Sequence, residues 1–129
     1  MSILSRRLLQ VTELISQYDF SKPFSAYLTS YFRLHPQMGS KDRRQIKEWS
    51  FAYLRMGNSL RNTSFEQQLT AGLFLNSLQN SDVTDFLAQE FCKELSGKAE
   101  LSPEAKIVLL KNIYPSFSEL RFFPLTDML

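Results

Sequence analysis

Six successive stretches of this chain place apolar residues three and four apart, and no segment alternates with a period of two. Polar starts and glycine or proline stops bound those stretches, so the pattern specifies an all-α fold, a compact bundle of about six helices. The first runs over residues 3–18, with Leu4, Leu8, Val11, Ile15 and Tyr18 inward and Arg6, Gln10, Glu13 and Gln17 opposite. Arg7 falls at the edge of the apolar side, where its stem can snorkel or its guanidinium can meet a buried carboxylate. The second runs from about Phe24 to the His35-Pro36 step, with Ser21 as a candidate cap and Pro23 in the first turn. The third starts at Ser40 and stops at Gly57-Asn58. A capping box, Ser64-Phe65-Glu66-Gln67, opens the fourth, which extends to about Leu78. Ser81 or Asp82 opens the fifth, with Val83, Phe86, Leu87, Phe91 and Leu95 inward and Gly97 as its end. Ser102-Pro103-Glu104 opens the sixth, which buries Ile107, Leu110 and Ile113.

Chain length and composition narrow the function classes. Among 129 residues there are 11 Phe and 5 Tyr but only 4 Gly, a supply of bulky core material with few tight turns. The longest purely apolar run is Ile107–Leu110, far short of the roughly 18 residues that a membrane span needs. A single cysteine, Cys92, rules out an internal disulfide and a multi-cysteine metal site, and a reducing cytoplasm is the expected setting. Charge is unevenly divided. Residues 1–64 hold ten Lys/Arg against four Asp/Glu, a net of +6, whereas residues 65–129 hold five against nine, a net of −4. An anionic partner on the first half is the physical reading of that asymmetry.

The third stretch concentrates the charge. In "GSKDRRQIKEWSFAYLRMGN", Ile46, Trp49, Ser50 and Tyr53 share one side of a helix, and Asp42 lies close to it. Arg44, Lys47, Phe51 and Arg55 fall within about a quarter turn on the other half, at 100° per residue. An acid near a helix start suits the macrodipole, and Arg44 and Glu48 are spaced as a four-apart pair. The arginines also suit phosphate, whose oxygens match the planar guanidinium donors. Phe51 among the basic residues suggests a central helix covered on both faces.

The same stretch resembles the signature of the N-terminal domain of bacterial ribosomal RNA cytosine-5 methyltransferases of the Sun/Fmu (RsmB) type. There a helix opens on a Gly-Ser-x-Asp-Arg-Arg motif and closes on a Tyr-x-x-x-Arg-like run, and Gly39, Ser40, Asp42, Arg43, Arg44, Tyr53 and Arg55 match. The likeness covers roughly residues 3–60. It implies a NusB-like helical domain over residues 1–115, with 116–129 starting the connection to a C-terminal methyltransferase domain. It also implies a fold-holding charge cluster of Arg7, Asp42 and Arg43, and RNA contact through Lys41, Arg43, Arg44, Lys47, Arg55 and Arg61. The partners so implied are ribosomal RNA and the catalytic domain of the same polypeptide, which would use S-adenosylmethionine; a monomer outside the membrane is expected.

Catalytic residues, a cofactor site and a metal site are not expected within the chain itself. Cys92 has no histidine near it in sequence, His35 is the single histidine and precedes a proline, and the Asp82/Asp85 and Glu90/Glu94 pairs read as solvated helix charges. Two other functions fit an all-α chain. One is a protein-interaction domain using Phe122, Phe123 and Leu125, and the other is a standalone NusB-like transcription antitermination factor.

Overall fold

In a computed structural model of the protein, residues 2–57, 59–60 and 63–118 are described. They form six α-helices: α1 (Ile3–Ser16), α2 (Phe24–Leu34), α3 (Ser40–Arg55), α4 (Phe65–Asn76), α5 (Asp82–Phe91) and α6 (Pro103–Ile113). A 3-10 turn at Lys93–Leu95 follows α5, and there is no strand among the described residues. The all-α class expected from the spacing is therefore the observed one. The helices group into two compact units, one ending at Phe51 and the other starting at Ala52, so the division falls inside α3. Arg61 and the segment holding Phe122, Phe123 and Leu125 lie outside the described residues.

Local chemistry sets the helix starts. Ser2, Ser64, Ser81 and Ser102 each turn a side-chain oxygen to a backbone N–H of the following turn. At Ser64 and Ser81 the third helical residue, Gln67 or Thr84, reciprocates to the cap's own N–H and completes a box. Pro103 occupies the first turn of α6, where a missing N–H costs nothing. At α2 the cap is Pro23, which has no side-chain oxygen to offer, so Ser21 is not the cap; its N–H donates to Asp19 Oδ1 at 3.0 Å in the preceding turn.

Three helix ends differ from the periodic reading, each for a tertiary or turn reason. The first helix stops at Ser16 rather than near Tyr18. Beyond it Phe20 takes a left-handed φ of 65°, and its ring lies 4.5 Å from that of Tyr18. The fourth stops at Asn76, where the Lys106 ammonium takes the Phe74 and Ser77 carbonyls, and Leu78 is left exposed. The fifth stops at Phe91; Cys92 leaves helical geometry, yet the 3-10 turn still buries Leu95.

The first unit is built on aromatic spacers. Phe24 sits edge-on to both Tyr18 and Phe51, at ring separations of 5.0 and 5.3 Å, and the Tyr27 hydroxyl donates to the Leu14 carbonyl at 2.7 Å. Val11, Leu14, Phe24, Leu28, Ile46 and Trp49 are buried. In the second unit α4 packs on both α5 and α6, around Phe74, Ala88, Leu95, Leu110 and Phe117. Gly72 lets α4 lie directly against the last turns of α3. A Cβ there would come within 2.9 Å of the Ala52 carbonyl carbon, which a backbone atom cannot vacate cheaply.

Candidate nucleic-acid interface

Helix α3 carries the basic motif, and its residues go to three different environments. Asp42 turns toward α1 and forms an ion pair with Arg7, from Nη2 to Oδ1. The Arg7 side chain is only 6% exposed, and its other donors reach Gln10 Oε1 at 2.7 Å and Gln45 Oε1 at 3.3 Å. A guanidinium so enclosed is a fixed point of the fold, and of the two openings that the sequence left for Arg7, the carboxylate is the observed one.

Arg43 takes a different course from its neighbour. Its guanidinium carbon lies 5.6 Å from the centre of the Phe32 ring, and its Nε is buried without an acceptor among the described residues. It thus stands on α2 through a cation–π contact instead of sharing Asp42 with Arg7.

Lys41, Arg44 and Lys47 are exposed. Spaced three apart, they step round the helix by about 60° each and climb about 9 Å along it. None of the three forms an ion pair among the described residues, so Arg44 does not close the four-apart pair with Glu48 that the spacing allowed. Arg55 goes elsewhere, donating from Nη1 to Asn76 Oδ1 at 2.8 Å beside a cleft of about 100 Å³ lined by Met56, Leu75, Pro103 and Ile107. Phe51, suggested by spacing as a covered residue, is half-buried against Phe24.

Cys92 is buried; burial raises its thiol pKa, and Sγ lies 3.5 Å from Glu94 Oε2, which favours the thiol over the thiolate. Tyr114, its neighbour, is pushed up for the same reason. The folded state therefore holds the Cys92 proton after the unfolded thiol, with its ordinary value of 9.0, has lost it. The resulting stability is fully present below 9.0 and is lost as pH rises from there through the raised folded value. Urea unfolding should show the stability difference between wild type and Cys92→Ala narrowing from pH 8 to pH 10. A difference that widens over that range would contradict the assigned environment. His35 has Nδ1 at 2.8 Å from the Tyr31 carbonyl and its ring against Tyr31. No group of three or more His, Cys, Asp or Glu side chains among the described residues is placed to hold a metal ion. No helix there is long and apolar enough to cross a membrane.

Lys106 is the buried charge that periodicity did not single out. Its side chain crosses to α4, Nζ donating to the Phe74 carbonyl at 2.9 Å and to the Ser77 carbonyl, over the face of the Phe74 ring. It shares a helix face with Leu110 and Ile113, the one hint in the sequence that it points inward.

Comparison of the chain with family models, curated proteins and solved structures finds no significant match.

Proposed function

We propose that this chain is a non-catalytic RNA-binding and positioning domain of an S-adenosylmethionine-dependent ribosomal RNA cytosine-5 methyltransferase, its catalytic domain lying further along the same polypeptide. The observation that carries the reading is the division of labour inside one motif. Asp42 is turned inward to Arg7, while Lys41, Arg44 and Lys47 stand exposed on the same two helical turns with no ion pair among the described residues. Arg7 and Lys106, by contrast, are engaged inside the fold by a carboxylate and by backbone carbonyls. Three cations left to water on a rigid helix instead suit phosphate, with counterion release supplying the affinity. The motif's likeness to the Sun/Fmu methyltransferases is the ground for reading that phosphate as one of ribosomal RNA.

The test is fluorescence anisotropy with a structured ribosomal RNA fragment across a salt series. Arg44→Glu/Lys47→Glu should weaken binding at least tenfold and reduce the slope of log Kd against log salt by roughly 1.5, the share of two phosphate contacts. Wild-type affinity that is insensitive to salt, or unchanged in the double variant, rejects the proposal. Salt-independent self-association in the absence of RNA would favour a protein-interaction domain.

A further inference from the structure

A second feature of the first unit lies beside the exposed basic stripe. Thr29, Phe32 and Arg33 of α2, Pro36 after it and Arg43 of α3 line an open cleft of about 370 Å³. That volume falls within the roughly 300–1,000 Å³ of small-ligand sites. Two of its five lining residues are arginines, and none is acidic. Neither arginine has an ion pair among the described residues, because the nearest carboxylate in sequence, Asp42, is taken by Arg7.

We infer that this cleft seats one unpaired nucleotide of the bound RNA, its phosphate between Arg33 and Arg43 and its base against the Phe32–Arg43 layer. The inference rests on the RNA-binding reading above. Three observations bear on it. Arg43 is held over Phe32, which fixes a guanidinium at the wall of the cleft before any ligand arrives. Arg43 and Arg33 have no carboxylate partner among the described residues, so their charge at the cleft is left for an anionic oxygen. Thr29 already donates its hydroxyl hydrogen to the Ser25 carbonyl at 3.0 Å, so it offers the cleft only acceptor lone pairs. Those suit a base N–H or the ribose 2′-hydroxyl, the group that separates RNA from DNA. Guanidinium planes and aromatic rings stack on bases whatever their identity, so the site would grip without reading sequence.

The experiment compares two fluorescein-labelled probes by anisotropy, a 12-nucleotide oligouridylate and a blunt-ended RNA duplex in which every base is paired. Arg33→Glu removes charge from the rim, and Thr29→Trp fills the space without changing charge; both positions are exposed, and melting curves verify that the fold is kept. Each variant should weaken oligouridylate at least tenfold while leaving the duplex within about threefold of wild type. Arg44→Glu/Lys47→Glu is run in parallel and should weaken both probes. If that double variant weakens both but Arg33→Glu and Thr29→Trp bind oligouridylate like wild type, the cleft assignment fails and the RNA-binding reading stands. If wild type binds neither probe, both fall together.

Discussion

Asp42→Ala is expected to lower the unfolding free energy by about 3 kcal/mol, and to cost more than Arg7→Met does. The asymmetry follows from where the two charges sit. The Arg7 side chain is 6% exposed and the Asp42 side chain 47%. Without the carboxylate, an enclosed guanidinium keeps only the amide oxygens of Gln10 and Gln45, and neither neutralises it. Without the guanidinium, the carboxylate is already half in water and can complete its solvation there, while methionine refills much of the apolar volume of the arginine stem. We therefore expect about 1–2 kcal/mol for Arg7→Met. The double variant Arg7→Met/Asp42→Ala should be more stable than Asp42→Ala alone, because it no longer strands a buried cation. Urea unfolding of all four proteins closes the cycle. Equal losses in the two single variants would show that the pair is solvated to the same degree at both ends. A double variant as unstable as the sum of the singles would show that the two residues do not act together.

That pair was partly legible in the sequence, and the reason is instructive. Arg7 lies at the margin of an apolar stripe, and Asp42 lies near the inward face of α3, so each announced itself as a charge facing the wrong way. Helix starts were legible for a related cause. A Ser followed three residues later by Gln or Thr acts through local backbone groups, and the capping boxes of α4 and α5 form as the spacing implies. What spacing cannot convey is the neighbour. Arg43 looked like a partner for Asp42, but α2 brings Phe32 beneath it, and the cation rests on a ring. Arg55 lies on the wheel with Arg44 and Lys47, yet Asn76 of α4 takes its guanidinium sideways. Leu95 is buried although the helix has ended, because the 3-10 turn that follows Cys92 sets it into the cluster of Ala88, Leu110 and Phe117. The exposed basic stripe is the part of the candidate site that the wheel located well. The cleft beside it depends on how α2 meets α3 and has no linear signature.

Lys106→Met is the other substitution expected to matter most, with a loss of about 2–4 kcal/mol that grows as the solution is made alkaline. The residue is 2% exposed and crosses from α6 to close the C-terminal end of α4, donating to the carbonyls of Phe74 and Ser77. A helix end carries a partial negative charge on its unsatisfied carbonyls, so an ammonium there acts both as hydrogen-bond donor and as counter-charge. Methionine matches the stem but leaves both oxygens without that donor, each at a cost of about 1–3 kcal/mol. Burial opposes the charge and pushes the Lys106 pKa below its ordinary 10.5. Between the lowered folded value and 10.5 the unfolded chain binds more protons than the folded one, so the contribution of Lys106 to stability rises with pH across that window. The amine that remains above it still has two N–H groups for the two carbonyls. The gap in unfolding free energy between wild type and Lys106→Met should therefore be wider at pH 10 than at pH 8, the reverse of the trend expected for Cys92→Ala. Urea titrations of both variants at the two pH values separate the two effects, and a Lys106→Met gap that shrinks on going alkaline would mean that the helix end stabilises the ammonium more than burial penalises it.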